Sequence, residues 1–564
     1  MIILTIIMFQ NLLDKTNKKN ILLGNEAIVR GALEAGVEFV STYPGTPASE
    51  IGNTFFELKK RKLKIAENFY FEFSVNEKTA LEAGAGACFC GLRTLVAMKN
   101  FGLNVASDFL FPLVYSGVKT GMVIVVADDP QCWSSAQSEE NTRGFARLMN
   151  IPILEPSDAQ ECCVFTKFAF EMSEKFKIPV MIRETTRVAH QSAPVKLSKI
   201  RKTKNKAKFI RDKRQLVTMP PRVLEMHKEL LEKERAIKEF SEKSLLNFIE
   251  KPQGKQKFSK IGIITSSISY LHTMEALKEL DISLPLLKLG FFHPLPEEKI
   301  KKFIKNLDKV LIIEELDPYL EREIKILAKD ANNNLKIVGK ELLPEVGELK
   351  PEIVVQALAK FANIKIPLNL IKKTKTSIKR FPQLCPGCPY WFVFNGIKKA
   401  CKNKDVIFGG DIGCYMLAGF PPHNIQDYLY CMSSSIGIAH GIKKANEQNS
   451  KKNKEQKIIA FIGDSTFFHS GISALINVVF NKSNPLIIIM DNSTTAMTGH
   501  QPNPGAPFEP NGLSIENIVL ACGIKNLKII DPAKQDEFVK IIKDFLNKKQ
   551  ASVIIARSPC RFVR

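Results

Sequence analysis

KIIAFIGDSTFFHSGISALINVVFNKSNPLIIIMDNSTTAMTGHQPNPG, residues Lys457–Gly505, contains two short apolar runs, Ile458–Ile462 and Leu486–Met490. Each run ends in a polar cluster, Gly463-Asp464-Ser465 after the first and Asp491-Asn492-Ser493 after the second. Ile-rich runs of this length, bounded by turn residues, read as buried strands of a parallel sheet. The carboxyl ends of such strands are where open α/β sheets bind ligands. Asn492 follows Asp464 by 28 residues, room for a crossover helix over Ser470–Phe480 and a return strand. A carboxylate and an amide at adjacent strand ends make an oxygen-rich site for a hard cation that also holds phosphates. The competing reading is an ordinary βαβ unit with polar loops.

Working outward, 564 residues imply three or four domains of globular composition, 45% hydrophobic and 25% charged. The net charge of +23 is spread through Lys-rich helices, apart from a dense block at Lys196–Arg214. That block holds ten Lys and Arg, one Asp and the single aromatic Phe209, so it reads as a solvated linker rather than an RNA site. Such a surface would also steer an acidic electron-transfer partner. Twelve scattered cysteines in a large Lys-rich α/β chain argue against a secreted disulfide scaffold. The start, MIILTIIMFQ, has neither a basic region nor a small-residue cleavage site and is too short for a membrane span. A cytoplasmic protein that binds neither membrane nor nucleic acid is expected.

Between residues 20 and 195 helix and strand alternate. A helix at Glu26–Ala35 precedes the turn Tyr43-Pro44-Gly45-Thr46-Pro47, a second helix spans Glu77–Cys90, and strands follow at Thr94–Met98 and Met122–Ala127, a doubly wound pattern. Residues 196–255 hold the basic linker and a long charged helix read over Arg222–Phe248. A smaller α/β unit occupies 256–370, with strands at Ile261–Thr265 and Val310–Ile313. A polar stretch, Lys372–Arg380, leads to a last α/β domain over 380–564.

The Gly-Asp-Ser and Asn spacing resembles the diphosphate motif of thiamine-diphosphate enzymes, with Ser465 in place of the usual second glycine. Such enzymes also need a carboxylate that hydrogen-bonds the pyrimidine ring and thereby activates the thiazolium carbon. Glu77, at a helix start nine residues before Gly86, matches the family spacing better than Glu82; the competing reading is a helix-capping carboxylate.

More specifically, Tyr43–Glu50, Asn76-Glu77-Lys78, Asp128-Asp129-Pro130, Leu154–Asp158, Cys385-Pro386-Gly387-Cys388-Pro389, Gly410–Cys414 and Thr495–Gln501 occur in order. Leu289-Gly290, Pro294-Leu295-Pro296, Glu314-Glu315-Leu316 and Pro344–Glu348 agree in the middle unit. Together they resemble the alpha subunits of indolepyruvate:ferredoxin oxidoreductases, within the thiamine-dependent 2-oxoacid:ferredoxin oxidoreductases, over about Leu22–Cys560. The resemblance implies two doubly wound thiamine-diphosphate-binding domains, pyrimidine-binding at 20–195 and diphosphate-binding at 380–564. They would flank a smaller α/β domain, transketolase C-terminal-like, at 256–370.

It implies oxidative decarboxylation of aryl pyruvates to acyl-CoA, a partner beta subunit, and ferredoxin as electron acceptor. Asp464 and Asn492 would ligate magnesium by side chain and Thr494 by its carbonyl, beside Gly463 and Ser465. Thr46 would lie against the thiazolium or the substrate carboxylate, and His500 would act as acid/base or substrate contact. Arg143 would pair with the 2-oxoacid carboxylate, the equal alternative being an exposed structural arginine. Cys385, Cys388, Cys414 and Cys560 would hold a [4Fe-4S] cluster, against a redox dithiol or zinc half-site for Cys385-x-x-Cys388 alone.

Two departures are visible. The sequence has no ferredoxin-like Cys-rich tail after Cys560, and Tyr390 stands where the family has a histidine after Cys-Pro-Gly-Cys-Pro. The alternatives are a non-redox thiamine-dependent decarboxylase or carboligase, and an idle scaffold, against which the retained Glu77, Asp464 and Asn492 count.

Overall fold

The computed structural model describes residues 11–202, 207–251, 253–367, 381–449, 456–507 and 511–563. The apolar start at residues 1–10, part of the basic block (203–206) and the polar stretch at Lys372–Arg380 lie outside the described residues. The chain divides into two compact units, Met1–Thr374 and Lys375–Arg564.

In the first unit β1 (Lys19–Leu23) leads into α1 (Gly24–Ala35), then β2 (Phe39–Thr42), β3 (Tyr70–Phe73), α2 (Glu77–Phe89), β4 (Thr94–Lys99), α3 (Asn100–Ser116) and β5 (Met122–Asp128). After α4 (Arg143–Met149) come β6 (Ile153–Leu154), β7 (Val180–Thr185) and β8 (Ser192–Lys196), which pairs antiparallel with β1. The helix after the basic block, α5, spans Arg222–Glu242 and is shorter than its charge pattern suggests. Residues Asn247–Glu250 instead form β9, because they pair antiparallel with β11 (Leu286–Leu289), next to β10 (Ile261–Thr265). β12 (Phe291–His293), β13 (Lys309–Ile313) and β14 (Lys336–Val338) follow.

Two sheets result. The larger runs β12-β6-β7-β5-β4-β2-β3 and the smaller β14-β13-β10-β11-β9. In the larger sheet β2 through β7 are parallel, and all but the edge strand β3 are largely buried, as crossover helices on both faces require. From β2 the chain goes to β3 on one side and then to β4 on the other, so the topological switch lies between β2 and β4. Residues 291–293, read as part of the small domain, cross over and pair with β6 of the larger sheet. Residues of both sheets share one apolar core, Val123 and Ile182 with Leu287 and Val310.

The second unit starts with the Cys385–Cys388 loop and α6 (Tyr390–Cys401), then β15 (Val406–Gly409) and β16 (Lys457–Gly463). A π-helical turn, Phe467–Gly471, precedes α7 (Ile472–Phe480), so the expected crossover helix starts two residues late. β17 (Leu486–Asp491), β18 (Asn526–Ile530) and β19 (Ser552–Arg557) follow. Their order is β15-β16-β17-β19-β18, all parallel. β16 and β17 are neighbours with Gly463 opposite Met490, which puts the two polar clusters side by side at carboxyl ends.

Candidate functional site

In the second unit Asp464 and Asn492 are both buried, 3% and 6% exposed. Burial first, and the neighbouring Asp491 second, push the Asp464 carboxyl up to about 7. Its oxygens accept hydrogen bonds from the Ser465 amide at 2.9 Å and from Asn503 Nδ2 at 3.0 Å. Asn492 Oδ1 accepts from the Thr494 amide at 3.2 Å, and the Ser465 hydroxyl pairs with Thr495 Oγ1 at 3.0 Å. Asp491 differs, since Arg557 Nε donates to it at 2.6 Å and neutralises it. A buried carboxylate with unmet charge, flanked by an amide and a backbone turn, is a donor set that suits a hard divalent cation. Gly463 is required for another reason: a Cβ there would lie 2.6 Å from the Tyr415 ring. Asn503, which sequence reading missed, lies in the polar tail of the same motif, so its signal was present but unassigned.

The four cysteines fall in one neighbourhood of this unit. The Cys388 thiol is pushed up to about 11 by burial, then by Cys560 and Cys385. Cys414 is pushed up to about 12 by burial and then by Cys388, Cys560 and Cys385. The Cys560 amide donates to the Asn492 carbonyl at 3.0 Å, which ties this thiol to the end of β17. Among the described residues, however, no three His, Cys, Asp or Glu side chains are gathered as a metal-binding group. His500 is exposed, and its Nε2 lies 3.7 Å from Cys560 Sγ. Tyr390, the substituted histidine position, is buried, with its hydroxyl donating to the Met490 carbonyl at 3.3 Å. Burial, and next Asp464 and Cys414, drive its hydroxyl well above the ordinary tyrosine range, so Tyr390 lies between the cysteine loop and the Asp464 turn.

In the first unit Glu77 opens α2 and is 6% exposed. The Asn76 side chain caps the helix by accepting from the Thr79 amide at 2.8 Å, so capping does not need Glu77. Thr46 sits on its turn with its hydroxyl 3.4 Å from Ser49 Oγ, while its carbonyl accepts from Ser134 Oγ at 3.0 Å.

Arg143 corrects an expectation. It is 2% exposed and grips Glu155 with two hydrogen bonds of 2.7 Å. Nη1 donates to Glu314 at 2.9 Å, Nη2 donates also to Ser266 Oγ at 2.7 Å, and the guanidinium lies over the Phe292 ring at 4.2 Å. Burial disfavours its charge, but Glu155 and then Glu314 more than offset this. With its donors committed, Arg143 is a structural ion-pair centre and does not grip a substrate carboxylate.

Three family models match the sequence. They are the thiamine pyrophosphate enzyme C-terminal TPP-binding domain over residues 411–556, the thiamine-diphosphate-binding domain of pyruvate flavodoxin/ferredoxin oxidoreductases over 30–243, and the indolepyruvate oxidoreductase domain over 251–371. The indolepyruvate oxidoreductase subunit IorA of Pyrococcus horikoshii is 41% identical over 574 residues, covering 98% of this chain and 87% of that protein. The IorA subunit of Methanothermobacter marburgensis is 40% identical over 551 residues, 96% of this chain and 86% of that protein. The solved 2-oxoglutarate:ferredoxin oxidoreductase of Magnetococcus marinus aligns over 61% of this chain and 65% of that chain, at 16% identity and a TM-score of 0.48.

Proposed function

The chain belongs to the family of indolepyruvate oxidoreductase IorA subunits, and on that premise we propose how it acts as a thiamine-diphosphate-dependent 2-oxoacid:ferredoxin oxidoreductase. The reaction is the oxidative decarboxylation of aryl pyruvates to acyl-CoA, with electrons passed to ferredoxin and a beta subunit as partner. The observation that carries the cofactor is the pair of buried oxygen donors, Asp464 and Asn492, at the ends of adjacent parallel strands. Relatives with oxidoreductase names, matched over nearly the whole chain, favour the redox reaction over simple decarboxylation or carboligation.

When bound, thiamine diphosphate supplies the electron sink for decarboxylation. The protein's own groups would bind and orient it. Asp464 and Asn492 side chains and the Thr494 carbonyl would hold magnesium on the diphosphate, with Gly463 and Ser465 forming the turn. Glu77 would hold a proton in a hydrogen bond to the pyrimidine, and Thr46 would contact the reacting end of the substrate. Cys385, Cys388, Cys414 and Cys560 would ligate a [4Fe-4S] cluster; what supports this is that Cys388 feels Cys560 and Cys385, and Cys414 feels Cys388, Cys560 and Cys385. His500, beside Cys560, is the proposed acid/base or substrate contact on that side. The domain bounds proposed are 20–195 for the pyrimidine, 256–370 for the small α/β domain and 380–564 for the diphosphate. No helix among the described residues is long and apolar enough to cross a membrane. All twelve cysteines are free thiols, which suits a reducing cytoplasm.

The test is the chain purified anaerobically with its beta partner. Aryl pyruvate should reduce ferredoxin only in the presence of coenzyme A and thiamine diphosphate. Release of the aldehyde without ferredoxin reduction would instead establish the non-redox decarboxylase.

A further inference from the structure

With Arg143 withdrawn, the substrate carboxylate has no assigned cation. Of the basic side chains near the carboxyl end of the larger sheet, Arg183 pairs with Asp128 at 2.7 Å and Arg187 with Glu348 at 2.6 Å. Lys99 is different. It is the last residue of β4, half-buried, and its Nζ donates to the Ser134 carbonyl at 3.0 Å; the Asp129 carboxylate acts on it through its charge, while Asp129 accepts hydrogen bonds from Ser134, Ser135 and Thr186.

Its position is that of a ligand site. β2 and β4 flank the topological switch, with Thr42 opposite Ala97; beyond those partners lie Thr46, in the turn that follows β2, and Lys99, the last residue of β4. The turn that carries Thr46 packs on Lys99: a Cβ at the preceding Gly45 would lie 2.9 Å from Lys99 Cβ, so the turn backbone runs directly against this side chain. The next residue, Asn100, is fully buried, with neither its amide oxygen nor its amide nitrogen hydrogen-bonded. Two residues further, Gly102 is packed on by Glu77, whose Cγ is 2.5 Å from where a Cβ would stand. One strand end therefore gathers an ammonium, a hydroxyl-bearing turn and the carboxylate assigned to the cofactor. Burial also pushes the Lys99 amine down to about 8, a cost that an anionic ligand would relieve.

We propose that Lys99 is the substrate-positioning cation of this enzyme, its ammonium pairing with the carboxylate of the 2-oxoacid beside Thr46. This rests on the functional reading above and names the group that recognises the substrate. The pairing is a charge-assisted hydrogen bond, with no covalent step.

The experiment uses the holoenzyme, with its beta partner and thiamine diphosphate, and two probes of one shape. These are 3-arylpropionate, a carboxylate without the reactive ketone, and its neutral primary amide. The wild type should bind the carboxylate about 10- to 100-fold more tightly than the amide. Lys99→Met should bring that ratio to about one while leaving amide binding and thiamine-diphosphate affinity unchanged, and Lys99→Arg should restore part of the preference. An active wild type whose preference survives Lys99→Met overturns the assignment alone. Loss of both probes together with the cofactor makes Lys99 structural and also overturns it. A wild type that oxidises no 2-oxoacid overturns the functional reading, and this assignment with it.

Discussion

A methyl group at Gly102 would collide with the Glu77 side chain, 2.5 Å from its Cγ. The position of Glu77 is thus held by an absent side chain on the next helix, while Asn76 does the capping. Glu77→Gln should bind thiamine diphosphate normally yet exchange the thiazolium proton about 10²- to 10⁴-fold more slowly, as read by NMR. Gly102→Ala should slow exchange too, by displacing the carboxylate. Unchanged exchange in Glu77→Gln would return Glu77 to a structural role. In the second unit, Asp464→Ala should weaken magnesium-dependent cofactor binding by about 100-fold or more in calorimetry. Retained affinity would remove Asp464 from the ligand set. The positions of both residues were legible from the sequence, because a strand end and a helix start follow from local patterns. Lys99 was not, since a lysine at a strand end carries no signal until the strand order is known.

At the scale of elements, the Ile-rich strands were legible to within a residue or two, because turn residues bound each apolar run. The charged helix was read too long. Its continuation, Asn247–Glu250, becomes a strand through pairing with residues 286–289, a long-range choice that helical periodicity cannot show. Arg143 was misread for the same reason, as its partners Glu155, Ser266 and Glu314 lie 12, 123 and 171 residues away. Arg143→Ala should destabilise the first unit by about 3–5 kcal/mol, because it leaves buried carboxylates unpaired. A change under about 1 kcal/mol in denaturant unfolding would contradict the ion-pair role.

The adjacent Glu315 carries a pH signature. Burial lifts its carboxyl from 4.5 to about 7, although Leu349 N–H donates to it at 3.0 Å. Between those values the native state holds one proton more than the unfolded chain, so stability falls as pH rises through the window. The loss is on the order of 3 kcal/mol. Glu315→Gln should flatten the decline in thermal midpoint between pH 5 and pH 8; an identical slope in the variant would contradict this.

For the whole molecule, the motifs showed the order of parts but not their integration. Within the first compact unit, residues 291–293 extend the larger sheet and the Arg143 cluster joins residues 155 and 314. In the second unit the spacing of the cysteines was legible, while the bond from the Cys560 amide to the Asn492 carbonyl, just past the end of β17, was not. The central claim is a redox enzyme in which thiamine diphosphate and an iron–sulfur cluster share this chain. Its most direct test is the iron, acid-labile sulfide and thiamine diphosphate bound to the anaerobically purified complex, compared with the Cys385→Ser, Cys388→Ser double variant. The variant should lose about four irons per chain while keeping its fold and its thiamine diphosphate. Iron content that survives the double change, or a wild type with thiamine diphosphate and no iron, would contradict it.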